Sequence, residues 1–219
     1  MCRRLLAAVA VAAALQAAAA PARLTTTAAS VLVLEGRSNV AAWRCSGRSM
    51  TGEMTIATTL DKVNEVIDRV EDGNIGAWMS NPAAGQFTAP QFTLSIPIAS
   101  LRCGGGRPME RDLMHALKGE RFPSIEFHLD GVRGPIEHDL DEHLYRSSIG
   151  GRLSLAGSTR TLTLPIAAER LTRTRFRLRA ELPVHMSDFG VTPPTAMFGL
   201  IKADDALTVR FDLVLEAVP

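Results

Sequence analysis

Neither sign of charge prevails in this chain. Its 24 Lys and Arg face 23 Asp and Glu, a formal net charge of +1 at pH 7. Nothing in that balance attracts nucleic acid or an anionic membrane surface, so nucleic acid is not an expected partner. Long apolar runs are missing as well. Beyond the N-terminus no stretch approaches the roughly eighteen apolar residues that a membrane-spanning helix needs, and no integral span is expected. Aromatic residues make up only 5% of the chain, so the interior it builds is expected to be largely aliphatic. Outside the N-terminal stretch there is no internal repeat and no low-complexity segment.

Motifs for chemistry are equally sparse. Ala156-Gly157-Ser158 lacks the Gly-x-Ser-x-Gly elbow that exposes a nucleophilic serine. Gly104-Gly105-Gly106 opens a helical pattern and can present free amides to an anion. It lacks the lysine and the second glycine spacing of a phosphate loop and reads as a flexible turn. Arg102 and Arg107 beside it are the residues that would touch a lipid phosphate. His138 and His143 bracket Asp139, Asp141 and Glu142, but the spacing fits no ligand motif, and the stretch reads as a solvated turn. Neither a metal nor a cofactor is expected. His115 follows Asp112 by three residues, so the two can share one helix face. They read as a surface pair, and as the acid and base that an enzymatic reading would have to use. His128 and His185 stand alone. No catalytic residue is assigned.

Arg3-Arg4 precede an apolar run over 5–15 and an alanine-rich end near Ala20 and Ala22. Residues 1–22 therefore read as a secretory signal peptide, and 23–219 as one domain of a soluble, periplasmic protein. Cys2 lies before the apolar run, so no lipid anchor is expected. Without Arg3 and Arg4, 22 basic side chains face 23 acidic ones. The two cysteines that remain, Cys45 and Cys103, read as a disulfide in an exported chain, the other reading being two free buried thiols. Closing that loop contributes roughly 4 kcal/mol in the chain-entropy model.

Along the chain, strands are expected over 31–35, 38–46 and 49–57. Between 60 and 73 the period lengthens: Val63, Val66, Ile67 and Val70 recur at helical spacing, which predicts an inserted helix. Residues 76–89 keep no period and read as an irregular excursion that can cover a barrel mouth. Phe92, Leu94, Ile96 and Ile98 then alternate with polar neighbours. After the glycine run, Pro108, Met109, Leu113, Met114 and Leu117 mark a short amphipathic helix ended by Gly119. Ile125, Phe127 and Leu129 resume the alternation, and 131–142 is a long turn or hairpin tip. Strands follow over 145–155, 161–167, 175–182 and 207–215. In the last two, Phe176 and Leu178, then Phe211 and Leu213, face one side, while arginines and acids take the other. Eight or nine one-faced strands suit a closed antiparallel barrel or a two-sheet sandwich, and the period does not separate the two.

The motif order resembles that of the YceI-like family of exported, lipocalin-like barrels. Ser100-Leu101 leads to a short helix carrying Arg111-Asp112, then to Phe122-Pro123-Ser124-Ile125-Glu126-Phe127. Ser38-Asn39-Val40-Ala41-Ala42-Trp43 lies upstream. Gly151-Arg152-Leu153-Ser154-Leu155 lies downstream, as do Asp188-Phe189-Gly190, Pro193-Pro194 and Phe198-Gly199. The match covers most of the chain beyond residue 30. Two departures are a missing lysine-histidine pair near the first strand and an insertion from about 58 to 90.

The resemblance implies a mainly β protein: an extended antiparallel lipocalin-like barrel with a short α-helix near one end and an inserted helix. It also implies a long isoprenoid or similar lipid enclosed in the barrel, for carriage or storage. On that reading Trp43 lines the interior with Phe92, Leu94 and Ile96 of the next expected strand and Ile125, Phe127 and Leu129 beyond the helix. Leu153, Leu155, Phe176, Leu178, Phe198, Phe211 and Leu213 complete the lining. Gly52, Gly131 and Ala180 are positions expected to leave space. Residues 186–198 and 104–119 are the candidates for the polar groups at the mouth that would choose the head group. A transient contact with an envelope membrane or membrane protein is a further expected partner, with no residues assigned to it. A hydrolase or isomerase acting in the same cavity, and a ligand-free structural protein, are the alternatives.

Overall fold

The computed structural model describes residues 20–72, 90–139 and 143–218. The expected excursion over 76–89, Asp141 and Glu142, and all but the last three residues of the expected leader lie outside the described residues. The chain first extends as β1 (Ala22–Thr26) and β2 (Val31–Ser38). These are two halves of one bent strand, because their partners β3 (Ala42–Gly47) and β4 (Thr51–Ile56) are also two halves of one strand: Leu24 lies opposite Met54, and Leu34 opposite Cys45. At the bend over 27–30 the ladder is interrupted. Buried Ser30 makes good the loss, its hydroxyl donating to the Val214 carbonyl and accepting from the Val214 amide at 3.0 Å.

The third strand is bent in the same way. β5 (Gln91–Pro97) pairs with β4, and after a single turn of 3-10 helix at Ile98–Ser100 the short β6 (Arg102–Cys103) pairs with β3. Cys45 sits opposite Cys103 and is bonded to it, so the disulfide closes that hairpin across its far end. The β4–β5 connection contains α1 (Leu60–Glu71), where the helical period was read. α2 (Gly106–Ala116) follows β6.

The remaining strands run β7 (Ser124–Val132), β9 (Leu144–Leu155), β10 (Ser158–Arg170), β11 (Arg175–His185) and β13 (Ile201–Ala217), each antiparallel to its neighbour in sequence. β8 (Glu137–Asp139) sits within the expected long turn and pairs on β9, while β12 (Thr195–Ala196) pairs on β13. β13 is 17 residues long and completes the circle. Its first half pairs with β2 and its last residues with β1, Leu215 lying opposite Thr26. The result is a closed barrel of eight antiparallel strands in simple succession, not a sandwich.

Two helices pack at the ends of this barrel. Thr59 caps α1 by accepting the Lys62 amide, and buried Asn64 donates to the Arg173 carbonyl in the β10–β11 turn at 2.8 Å. Arg170, at the end of β10, is held between Asp68 and Glu71 of α1, each 2.5 Å away. α1 is thereby fastened to the end of the barrel where β10 turns into β11. α2 ends in a left-handed turn, but at Lys118 (φ 52°) rather than at the expected Gly119. Gly119 lies one residue later and donates to the Met114 carbonyl; a Cβ there would lie 2.0 Å from the Met114 sulfur.

Candidate functional site

The barrel is filled at the end near α1 and hollow at the end near α2. In the filled half Leu24, Phe92, Leu94, Leu213 and Leu215 are buried together, and the Phe92 and Phe127 rings meet at 6.5 Å. Space expected at Gly52 is taken up: a Cβ there would lie 2.6 Å from Thr26 and 3.2 Å from Leu94. Gly151 is likewise covered by the tip of the Phe127 ring. Large side chains opposite small ones interdigitate to interior density, so glycine in this half marks a contact and not a void.

In the other half the inward side chains stop short of one another and leave a cavity of about 1100 Å3. β2 supplies Leu32 and Leu34, and β13 supplies Leu207, Val209 and Phe211. α2 lays Met109 and Leu113 along one side, and Met186 and Val191 come from the segment after β11. Trp43 on β3 lies flat against β2, which is possible because residue 36 is glycine: a Cβ there would sit 2.2 Å from the indole. The indole nitrogen donates to the Arg37 carbonyl at 3.1 Å, so this wall of the cavity carries no unpaired indole donor.

Polar groups gather toward the opening. Arg37, Arg44 and Asp112 border the cavity. Glu35 pairs with Arg44 at 3.1 Å and also with Arg210, which in turn binds Glu181 at 2.9 Å. That last contact holds the Glu181 carboxyl below the usual carboxylate range. Beside the mouth, Asp205 accepts from the Ser187 hydroxyl at 2.6 Å and from its amide at 2.8 Å, and both bonds depress its pKa.

The expected lining divides along the same boundary. Trp43, Ile125, Leu153, Leu155 and Phe211 border the cavity. Phe92, Leu94, Ile96 and Leu213 are buried in the solid core, and Phe127, Leu129, Phe176 and Leu178 pack against it half-buried. Phe198 does not line the barrel at all. It stands in a left-handed conformation (φ 55°, ψ 33°) within Met197–Gly199, which turns its ring fully into solvent. The expectation named none of the β2, α2 and early β13 side chains. The Met109–Leu113 stripe carried a signal, whereas Val31-Leu32-Val33-Leu34 is apolar throughout and does not say which side chains face in, and nothing in a period tells a packed inward face from a hollow one.

The residues weighed for other chemistry lie elsewhere. His115 is exposed, and no hydrogen bond or ion pair joins it to Asp112. Arg102 donates to the carbonyls of Ala99 and Leu101, and neither it nor Arg107 borders the cavity. His138 stacks on Tyr145 at 4.4 Å near α1, the opposite end from the opening. Burial, and then the Glu71 carboxylate, push the Tyr145 phenol up to about 12. Among the described residues no three His, Cys, Asp or Glu side chains are grouped to hold a metal. No described helix is long and apolar enough to cross a membrane.

What this arrangement can do is enclose an apolar chain, with a polar border where a head group would lie. Known proteins share the architecture. The fold resembles that of Burkholderia cenocepacia BcnA, with a TM-score of 0.56 and 15% identity over 86% of this chain and 98% of that one. It also resembles a polyisoprenoid binding domain from Saccharophagus degradans implicated in plant cell wall breakdown: TM-score 0.60 and 13% identity over 91% of this chain and 100% of that one. A comparison with curated proteins returned no match. A family model described as YceI-like domain matches residues 38–215, from the end of β2 to near the end of β13. The chain belongs to the YceI-like family.

Proposed function

We propose that this protein binds a long-chain isoprenoid or similar amphipathic lipid and carries or stores it in the cell envelope. The observation that bears most weight is the division of the barrel: a cavity of about 1100 Å3, walled by aliphatic side chains and open at one end, above a solid base. That volume lies just above the roughly 300–1,000 Å3 of small-ligand pockets, as suits a long-chain ligand. At about 0.8 kcal/mol per buried methylene, roughly twenty to thirty carbons offset an association cost of about 4–15 kcal/mol. They still leave the roughly 8 kcal/mol of micromolar binding. Little polar machinery is required. The polyisoprenoid binding described for the Saccharophagus domain is of the same kind.

Export to the periplasm belongs to the same reading. The leader-like pattern of 1–22 supports it, and so does the Cys45–Cys103 disulfide, since such bonds persist in oxidising compartments. The hydrolase or isomerase alternative has less behind it, since His115 and Asp112 are both exposed and no hydrogen bond or ion pair joins them. Native mass spectrometry with lipid extraction, on folded protein purified from its own host, tests the function. A mass increment matching an unaltered long-chain lipid is expected; an empty barrel would overturn the proposal.

A further inference from the structure

Two loops rise beside the opening, and both carry apolar side chains into solvent. Val40, between β2 and β3, is 64% exposed. Met197, Phe198 and Leu200, between β12 and β13, are 65%, 110% and 75% exposed, so Phe198 stands out further than it would in an extended peptide. Single exposed apolar residues are ordinary, but four of them on adjoining tips form a surface that water disfavours.

The tips are joined as one unit. The Asn39 side chain donates to the Leu200 carbonyl at 2.9 Å and accepts the Lys202 amide at 2.8 Å, while its own amide donates to the Lys202 carbonyl at 3.1 Å. Met197 and Phe198 both adopt positive φ, which bulky side chains rarely do. The backbone is thus held in a form that turns the Phe198 ring outward, away from the cavity where it would be buried.

From these contacts we infer that the Val40 and Met197–Gly199 tips, with Leu200, insert into the interfacial layer of a lipid bilayer and set the cavity mouth against the membrane. Three features favour a bilayer over a protein surface. First, the apolar side chains stand out from loop tips and not from a flat face, Phe198 at 110% exposure, as suits entry into a fluid layer more than contact with a folded partner. Second, residues 38–43 and 189–201 contain no ionisable side chain, while three cations, Arg37, Arg44 and Lys202, and one acid, Asp188, lie immediately beyond them, all exposed. Apolar tips with cations at their base suit the boundary between acyl chains and phosphate. Third, the tips run on into the cavity wall: Ala41, Ala42, Thr195, Ala196 and Ile201 border the cavity next to the exposed residues. An apolar chain leaving the barrel would pass over them without crossing water.

The inference gives a purpose to the lipid-binding reading and takes its biological sense from it, but the test below does not depend on cavity contents. Purified full-length protein is sedimented with and without vesicles of phosphatidylethanolamine and phosphatidylglycerol. The unaltered protein should pellet with the vesicles. Phe198→Asp combined with Leu200→Asp should lower the bound fraction at least tenfold, while the lipid retained by each protein, read by mass spectrometry, stays the same. A second variant, Phe198→Trp, should show blue-shifted emission on vesicle addition and quenching by brominated acyl chains.

Equal pelleting of the unaltered and doubly substituted proteins would overturn the inference, as would Phe198→Trp emission that ignores vesicles. Sedimentation velocity provides the other adverse outcome: self-association abolished by the same double substitution, without vesicle binding, makes the tips a contact between two copies. An empty barrel together with normal vesicle binding would defeat the lipid-carrier reading and leave the membrane contact standing.

Discussion

At the scale of single residues, the distinction that matters is which small side chains face a large neighbour. Gly151 lies under Phe127, and a Cβ there would sit 2.3 Å from the ring and 2.7 Å from the His128 carbonyl oxygen. The backbone oxygen has no freedom to withdraw. Gly151→Ala should therefore lower stability by about 1–3 kcal/mol, the usual cost of overpacking, measured as a shift of the urea midpoint. The alternation of Phe127 and Leu129 with polar neighbours showed from the sequence that these side chains point inward. It did not show what they meet. Gly52 was expected to leave space and is instead covered, because the void at a missing side chain belongs to whichever neighbour is long enough to reach it. Phe198 was placed inside on the family resemblance, and a left-handed backbone at that position, invisible to any hydropathy pattern, turns it out.

At the scale of elements, α1 was readable and its docking was not. Val63, Val66, Ile67 and Val70 set the helical period. The contacts that fasten the helix are polar and reach across roughly a hundred residues, from Asp68 and Glu71 to Arg170 and from Asp68 to Arg173. The Arg170 hydrogen bond holds the Asp68 carboxyl below the usual carboxylate range. A depressed carboxyl stabilises the folded form fully above its unfolded pKa of about 4 and loses that contribution as the pH falls through the lower, folded value. The protection of Leu60–Glu71 against amide exchange, taken relative to the intrinsic rate at each pH, should thus be unchanged from neutrality to about pH 5 and fall below about pH 4. At neutral pH, Arg170→Ala should speed that exchange by roughly tenfold, the lower end of what losing hydrogen bonds to charged groups costs, and should flatten its acid dependence. β1 escaped notice for a different reason: Ala22 had been assigned to the leader, and Leu24 is the single large apolar residue of the strand.

For the whole molecule, the period alone left barrel and sandwich open, since a period of two states that one face is covered and not by what, and the family resemblance alone pointed to the barrel. The choice is made by β13, whose outer edge meets β2 over its first half and β1 at its end. Hollowness is also a property of the whole, arising where β2, α2 and β13 hold their side chains apart. Filling it should spare the fold. Val209→Trp, placed on the cavity wall, should leave the thermal midpoint within a few degrees and reduce the lipid recovered per protein by about tenfold, a loss of roughly 1.4 kcal/mol. The shared pairing of β13 has a further consequence for how such a chain comes to be made. Both neighbours of Ile201–Ala217 lie earlier in the sequence, so a ribosome must have made every other strand of the barrel before the ring can shut. Until then the growing product is an unrolled ribbon with two sticky borders, one from β2 and one from β11, each able to seize a stranger's strand.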